Sequence, residues 1–337
     1  MNTALHSLES SRLKSLPKAE VHLHLEGCFG AATIAQWAKM EGQTLPRPQE
    51  DLFKFSGLAD FLGFLDLACG LASTPQRLVE LSYGLSQRLA DNGTGYADVI
   101  FNPTHWHAWH GKLGAMLDAM DAGFTAAEQD GLPRVGLCVS LLRTQSADAA
   151  VELVDTLRDM RHPRVVALSV DGNEATAGRT GPRFADAFKR AGAHGLRRTV
   201  HAGESSGPEG VWDAINLLGA DRIDHGVRAI EDAALVEVLA ERKIPLGICP
   251  TSNLVLRVYP SIQEHPIEKL RAAGVRVSVN TDDPALLGAS LIGEYALCRQ
   301  TFGWTDEVTR SVARTSIEAS FANADTKKQL LESLSHW

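Results

Sequence analysis

The sequence has few cysteines and no long apolar run. Its 5 cysteines are scattered along 337 residues without a CxxC pair, which argues against a disulfide framework and favours a reducing compartment. No run of about 18 apolar residues occurs, as a membrane-spanning helix would require, and residues 1–20 contain no continuous apolar segment of the signal-peptide type. These absences predict a soluble, cytoplasmic protein.

Positive charge is also scarce. The chain carries 33 Lys and Arg against 41 Asp and Glu, which gives a net charge of −8, and no basic cluster is visible. A surface of this kind does not attract nucleic acid or an anionic membrane. We therefore expect a small-molecule partner, with no nucleic acid and no membrane, while the sequence leaves the oligomeric state open.

The composition is ordinary for a globular protein with a large core, with 44% hydrophobic and 22% charged residues. A chain of 337 residues fits either two average domains or one large α/β barrel. Because no linker, repeat or low-complexity segment interrupts the chain, we predict a single domain over residues 1–337.

Eight short segments have the length and pattern of buried strands, and each is followed by a helical pattern. After the second strand they recur roughly every 22 to 40 residues, the size of a βα unit. They are residues 19–27, 96–101, 134–142, 165–170, 196–201, 222–225, 245–249 and 276–280. This order predicts an α/β fold of the (β/α)8 TIM-barrel type, with extra helices after the first strand and at the C-terminus.

A doubly wound open sheet is the alternative fold. Such a sheet is expected to carry a glycine-rich phosphate turn after its first strand, but residues 27–30 read Gly-Cys-Phe-Gly rather than GxGxxG. Two helical patterns, 57–72 and 75–91, exceed what the first crossover needs. They form either a lid over a site or additional packing, and Phe61 or Leu62 is placed to line a pocket mouth.

The first strand carries two histidines on one face. His22 and His24 alternate with Val21, Leu23 and Leu25, and a period of two puts both imidazoles on the same side. Alone, such a pair is more often a surface or core feature than a metal site. The other strands decide between these interpretations.

Ionisable and amide side chains follow several strands at the end where a barrel carries its catalytic groups. They are His22, His24 and Glu26 at the first strand, and residues 171–174, 201–204, 224–226, 250–253 and 280–284 after the fourth to eighth strands. Any one of them could be a helix cap or a structural polar group. Their gathering at one rim indicates an active site.

Four of these side chains form a mixed nitrogen and oxygen donor set, namely His22, His24, His201 and Asp282. Three imidazoles and one carboxylate suit zinc, and suit iron, manganese or cobalt less well. A metal with an open coordination position would bind a water and lower the pKa of that water towards about 7. The expected cofactor is one Zn²⁺ per chain.

Three further residues are candidates for catalysis or substrate binding. Glu204 comes three residues after His201, so a sharp turn would bring its carboxyl beside the metal without ligating it, which suits a general acid. His225 on the next strand can orient or deprotonate the water. Asp283 follows a metal ligand, therefore points elsewhere, and can meet the substrate.

The remaining histidines are interpreted conservatively. His105 and His107 form a second HxH pair near His110, which could bind a second metal, but a substrate-side or surface loop is the favoured interpretation. The isolated His265 is expected at the surface.

Taken together, these motifs resemble those of the adenosine deaminase family of metal-dependent aminohydrolases. The matching segments are residues 17–27, His201-Ala202-Gly203-Glu204, His225-Gly226, 249–253 and 280–284, in family order. The resemblance implies a TIM-type barrel that releases ammonia from an adenine-type purine.

The resemblance also implies roles for individual residues. It implies one zinc ion on the four ligands, Glu204 protonating ring N1, and His225 steering the metal-activated water to C6. Asp283 would hydrogen-bond N7, and the backbone of Gly172 would face N3. For Glu204 to be an acid, the pocket must raise its pKa.

The substrate is less clearly indicated. Family members that act on adenosine often carry Asp where Glu26 stands. Glu26 resembles the branch that includes adenine deaminases and aminodeoxyfutalosine deaminases, and Asp171 and Asp224 resemble the adenine branch. Residues 280–284 and 207–209 resemble the nucleoside branch instead. We take adenosine or deoxyadenosine, giving inosine, as the first substrate and adenine, giving hypoxanthine, as the second. A modified adenine nucleoside such as aminodeoxyfutalosine is the third, and Glu26 and Asp171 are expected at the substrate.

Two other classes of protein are compatible with such a barrel, and the sequence assigns no role to Asp98. Many amidohydrolases of other specificity bridge two metals with a carboxylated lysine, but residues 170–172 contain no Lys at the end of the fourth strand. A catalytically silent metal-binding protein would not need Glu204 beside its ligands.

Overall fold

The computed structural model describes residues 2–337, with side chains described for residues 8–57 and 60–337. In this part of the chain eight strands form one sheet in sequence order, each parallel to the next. They are β1 (Lys18–His24), β2 (Thr94–Phe101), β3 (Arg134–Leu142), β4 (Val165–Asp171), β5 (Arg197–Ala202), β6 (Arg222–His225), β7 (Leu246–Ile248) and β8 (Val277–Val279).

The last strand returns to the first just beyond its own end. The backbone N–H of His24 donates to the carbonyl of Asp282 at 2.7 Å, and that of Asp282 donates to the carbonyl of His22 at 3.2 Å. Leu23 and Asp282 thus form a parallel bridge. The predicted (β/α)8 barrel is confirmed, and its closure itself brings Asp282 against the two histidines of β1.

The described residues form fifteen α-helices around this barrel. They are α1 (Asn2–Ser15), α2 (Ala31–Met40), α3 (Leu58–Leu71), α4 (Pro75–Asp91), α5 (Leu113–Gln129), α6 (Ala147–Met160), α7 (Glu174–Ala177), α8 (Gly181–Ala193), α9 (Pro208–Asn216), α10 (Ala233–Glu241), α11 (Pro250–Val255), α12 (Ile267–Ala272), α13 (Leu291–Phe302), α14 (Asp306–Ala319) and α15 (Ala324–Ser335). The extra helices lie after β1 and at the C-terminus, as predicted. None of those described is long and apolar enough to cross a membrane.

The first strand is shorter than its alternating pattern predicted. Leu25 already has helical dihedral angles, and Glu26–Cys28 form a 3₁₀ turn, which the N–H of Cys28 stabilises by donating to the carbonyl of Leu25 at 3.1 Å. Glu26 therefore leaves the strand and does not continue the face of the two histidines. Its carboxyl is carried sideways, towards β2.

The base of the barrel is held by a buried ion pair between strands that are not neighbours. Arg222 Nη1 on β6 donates to Asp98 Oδ2 on β2 at 2.7 Å, and both side chains are fully buried. The N–H of Phe321, just after α14, donates to the same carboxylate at 3.0 Å. Asp98 is therefore a structural residue that fixes β2, β6 and the C-terminal segment together.

We expect Asp98→Ala to lower the free energy of unfolding by about 3 kcal/mol, because it removes the closer of the two carboxylates that pair with the buried Arg222 guanidinium and leaves only Asp224, at 3.4 Å. Urea unfolding followed by circular dichroism measures the loss. The matched control is Asp186→Ala, which breaks an exposed Asp186–Arg190 pair on one helix and should cost at most about 0.5 kcal/mol. Equal losses in the two variants would contradict this account.

Candidate active site

Three strands deliver four side chains to one point at the rim. His22 Nε2 and His24 Nε2 lie 3.1 Å and 3.0 Å from His201 Nε2. Asp282 Oδ1 lies 3.2 Å from His22 Nε2 and 3.4 Å from His24 Nε2. The four residues of the predicted metal site are thus brought together, in a part of the barrel where each is at most 8% exposed.

These separations have the size that a shared metal ion requires. Ligand atoms about 2.0 Å from a tetrahedral zinc ion stand about 3.3 Å from one another, and the four contacts above run from 3.0 to 3.4 Å. The donor chemistry fits as well, because three imidazole nitrogens and one carboxylate oxygen supply lone pairs to a common centre. The residues present therefore fit a zinc ion.

Neighbouring groups orient the candidate ligands. His22 Nδ1 lies 2.8 Å from the carbonyl of Gly247, which accepts only, so the ring donates there and turns the lone pair of Nε2 towards the cluster. Ser252 Oγ donates to Asp282 Oδ2 at 2.6 Å, which leaves Oδ1 for an ion. His201 Nδ1 has no hydrogen-bond partner among the described residues, and the nearest carboxylate oxygen given for it, Asp224 Oδ2, stands 3.6 Å away.

His225 also lies near this centre, since ligand atoms of His22, His201, His225 and Asp282 fall within 4.8 Å of one another. Its surroundings distinguish it from the ligands. Asn253 Nδ2 donates to His225 Nδ1 at 3.3 Å, so the neutral ring carries its proton on Nε2. A ring with that proton cannot ligate through Nε2, and His24 is the better fourth member.

The proton positions around His225 follow from a chain of hydrogen bonds that begins at a backbone donor. The N–H of Ile267 donates to His265 Nδ1 at 3.3 Å, so His265 Nε2 carries a proton and donates to Asn253 Oδ1 at 3.0 Å. The prediction that His265 is a surface residue is wrong, because its side chain is 2% exposed. Because His265 stands alone in the sequence, away from the motifs of the site, the sequence does not indicate its contact with Asn253.

Glu204 faces His225 across the cavity. Its Oε1 lies 3.5 Å from His225 Nε2, and its side chain is 13% exposed. Burial, with the Asp282 and Glu174 carboxylates nearby, raises the pKa of Glu204 to about 8. This shift favours the protonated carboxyl that a general acid needs.

These groups surround a cavity of about 60 Å³. The candidate substrate residues of the sequence all line it, namely Glu26, Asp171, Gly172 and Asp283, together with Glu204 and His225. Phe61, Leu62 and Leu65 of α3 and Leu256 form its apolar part. The inserted helix α3 is therefore a wall of the site.

Two carboxyl oxygens in this cavity have no partner among the described residues, and both are buried. They are Glu26 Oε2 and Asp283 Oδ1. Glu26 is nevertheless fixed, since its Oε1 accepts from the N–H of Asn102 at 2.6 Å and from Trp106 Nε1 at 2.8 Å. Buried oxygens that are held in place and left unpaired indicate a polar ligand.

Asp283 and Asp171 are positioned by different means. A Cβ on Gly27 would lie 2.2 Å from Asp283 Oδ1, so glycine is required where the turn after β1 meets the segment after β8. Burial and the adjacent Asp282 charge raise the pKa of Asp283. Asp171 Oδ1 accepts from Asn102 Nδ2 at 2.5 Å, and it shares this residue with Glu26.

The second HxH pair does not converge. His105 lines the cavity and its Nδ1 contacts Asp66 Oδ1 at 2.6 Å. His107 is exposed and packs against the His110 ring at 5.1 Å. The favoured interpretation of a substrate-side or surface loop agrees with this arrangement.

The sequence analysis gave no role in the site to seven of its residues, namely Asn102, Trp106, Arg143, Glu174, Ser252, Asn253 and His265. Glu174, Ser252 and Asn253 lie in the rim segments 171–174 and 250–253 that it named, but without individual roles. Asn102 and Arg143 directly follow β2 and β3, and the rule that placed the other rim residues could have found both. Trp106 and His265 act through contacts between distant segments, which a single sequence does not reveal.

A closed barrel that carries candidate metal ligands at one rim is an architecture in which metal-dependent hydrolases occur, but the fold alone does not fix the chemistry. The sequence profile of one family, described as adenosine deaminase, matches residues 17–337. The chain therefore belongs to the adenosine deaminase family and is a deaminase. The resemblance seen in its motifs is confirmed.

Similar proteins align over nearly the whole chain. An adenine deaminase from Agrobacterium fabrum is 35% identical over 324 residues, 95% of this chain and 98% of the relative. An aminodeoxyfutalosine deaminase from Streptomyces coelicolor is 32% identical over 328 residues, 96% of this chain and 84% of the relative.

Two solved structures share the fold at lower identity. The crystal structure of an adenine deaminase from Arthrobacter aurescens aligns with a TM-score of 0.89 and 29% identity, over 96% of this chain and 99% of that one. An amidohydrolase from Burkholderia ambifaria with bound zinc aligns with a TM-score of 0.85 and 27% identity, over 97% and 95% of the two chains.

We expect purified protein to contain about one zinc ion per chain by elemental analysis, and to unfold at a lower temperature after chelation, because an ion that binds only the folded state stabilises it. His201→Ala should lose the ion. The exposed His107→Ala is the matched control and should keep it. A stoichiometry of two, or loss of zinc in the control, would refute the single-site assignment.

Proposed function

We propose that this protein hydrolyses free adenine at C6 and releases hypoxanthine and ammonia. The observation that carries the choice of the free base is the unpartnered Glu26 Oε2 in the cavity. A buried acceptor without a donor costs free energy that a ligand can recover. A free purine offers an N–H at N9, whereas a nucleoside carries its sugar there.

Relatives named adenine deaminase give further support. We therefore rank adenine above adenosine, the substrate that the sequence placed first.

We assign one zinc ion to His22, His24, His201 and Asp282. The support is the set of 3.0–3.4 Å contacts among their ligand atoms and the zinc-bound relative of the same fold. When bound, the ion would supply Lewis-acid activation of a water molecule as the nucleophile. The other parts of the reaction fall to side chains of this chain.

Glu204 is proposed as the general acid. Its raised pKa keeps a proton available for ring N1, and protonation there draws electrons away from C6 while water adds to that carbon. Of the two protons of the added water, one returns to the Glu204 carboxylate and the other goes to the amino group, which leaves as ammonia while the oxygen at C6 becomes the carbonyl of hypoxanthine. His225 donates from Nε2 to the oxygen of the attacking water, because its Nδ1 is occupied as an acceptor. His225 thus orients the water and does not deprotonate it.

The remaining cavity residues hold the purine in one orientation. Burial and the adjacent Asp282 charge raise the pKa of Asp283, which favours the protonated carboxyl, whose hydroxyl can donate to the lone pair of N7. The backbone N–H of Gly172 faces N3, and Glu26 Oε2 accepts from N9–H. Asp171 accepts a hydrogen bond from the Asn102 side chain, and the backbone N–H of Asn102 donates to Glu26. Asp171 thus helps indirectly to hold Glu26 at the N9 edge of the purine.

We expect ammonia release to be fastest with adenine across a panel of adenine, adenosine, deoxyadenosine and aminodeoxyfutalosine. Glu26→Gln should lower kcat/KM for adenine by roughly 10- to 100-fold, the range of one charge-assisted hydrogen bond, and should change the slower rates on nucleosides less. Coupled ammonia assays measure each substrate. A wild-type preference for adenosine would refute the free-base assignment.

Glu204→Gln should reduce kcat by roughly 10²- to 10⁴-fold with the zinc content unchanged. In the wild type, kcat/KM should fall as the pH rises above about 8, because Glu204 loses the proton that it donates. The residual rate of the variant should lack this alkaline fall. An unchanged profile in the variant would exclude Glu204 as the acid.

A further inference from the structure

A second carboxylate, which the proposed reaction does not use, lies beneath the loop that carries Glu204. Glu174 Oε1 accepts from the N–H of Gly203 at 2.9 Å. Its Oε2 accepts from the N–H of Glu204 at 2.8 Å, Ser205 at 3.2 Å and Ser206 at 3.3 Å. Four consecutive amides of one loop thus converge on one carboxylate, which is 4% exposed.

The Glu174 carboxylate is itself held by a buried cation. Arg143 Nη2 lies 3.7 Å from Glu174 Oε1, with both side chains at most 5% exposed. The same guanidinium donates to the carbonyl of Gly172 at 3.0 Å and to Thr180 Oγ1 at 2.8 Å, and it also contacts the carbonyl of His201. Arg143 therefore joins the ends of β3, β4 and β5 below the loop.

The loop needs such a partner because it has no regular structure of its own. Residues 203–206 lie between β5 and α9, and Gly203 has a positive φ of 64°, so their amides belong to neither a strand ladder nor a helix. Amides of this kind need acceptors when they are buried. An acceptor that takes all four fixes the backbone from which the Glu204 side chain enters the cavity.

We propose that Glu174 is a positioning residue for catalysis. It holds the 203–206 loop so that the Glu204 carboxyl meets ring N1 of the purine. The inference rests on the proposed role of Glu204, and it assigns to Glu174 no contact with substrate or metal. Because a displacement of about 1 Å in a catalytic group can cost roughly 10²-fold in rate, the loss of this contact should act on kcat.

A second feature provides an independent way to move the same side chain. Gly210 in α9 stands against Glu174, and a Cβ there would lie 2.8 Å from Glu174 Oε1. Gly210→Ala therefore pushes the carboxylate without removing it. Alanine favours a helix more than glycine does, which offsets part of the cost of this displacement.

The first test is Glu174→Gln, which removes the charge and turns an N–H donor towards amides that also donate. We expect kcat on adenine to fall by roughly 10- to 100-fold, KM to change less than about threefold, and zinc content to stay at the wild-type level. Hydrogen exchange of the 203–206 amides should become at least about tenfold faster. Glu174→Asp, with a shorter carboxylate, should recover part of both losses.

The control is Asp213→Asn. Asp213 is a carboxylate of the same region, 6% exposed, but it pairs with Arg179 and accepts nothing from residues 203–206 in the described contacts. This variant should leave kcat within about twofold and leave the exchange of the loop unchanged. A general loss of stability near the site would affect both variants alike.

The outcomes separate this inference from the proposed function. The positioning role would be overturned if the 203–206 amides of Glu174→Gln exchanged as slowly as those of the wild type. Full kcat in both Glu174→Gln and Gly210→Ala would overturn it as well. So would a fall in kcat matched by an equal loss of zinc. If wild-type protein released no ammonia from any aminopurine, the proposed function would fail, while the exchange measurement would still decide whether Glu174 holds the loop.

Discussion

The site depends on one electrostatic constraint, the convergence of three imidazole nitrogens and one carboxylate oxygen. Their contacts of 3.0–3.4 Å bring lone pairs against one another, which is unfavourable unless a cation or a proton lies between them. The barrel imposes this approach, because β1, β5 and β8 end at one rim and the bridge from Asp282 to Leu23 closes the ring. Asn253, Glu204 and Ser252 are arranged around that centre.

The polar groups around the centre obtain their orientation from backbone groups, whose polarity cannot change. The N–H of Ile267 fixes His265, which fixes Asn253 and so the proton on His225. The carbonyl of Gly247 fixes the opposite tautomer in His22. A backbone N–H only donates and a carbonyl only accepts. Two histidines within one cluster can therefore be held for different tasks, one as a ligand and one as a donor.

Much of the fold and of the site was predictable, because its signals are local in the chain. Strand and helix periods gave the barrel, and the rule that catalytic groups follow strands gave His201, Glu204 and Asp282. The same reasoning failed where a contact joins distant segments. Asp98 pairs with Arg222 at the opposite end of the barrel, and His265 is buried against Asn253. The sequence around Asp98 and His265 gives no indication of either partner.

The sequence by itself determined which chemical groups stand at the rim, because the order of strands and the residues that follow them are properties of the chain alone. Only the tertiary structure decided which of those groups share a centre and how each is oriented. It distinguished His24, a candidate ligand, from His225, a hydrogen-bond donor. It also left Glu26 Oε2 unpaired and brought four backbone amides onto the Glu174 carboxylate. The reason is geometric: hydrogen-bond direction and burial depend on neighbours that chain closure brings together from far apart in sequence.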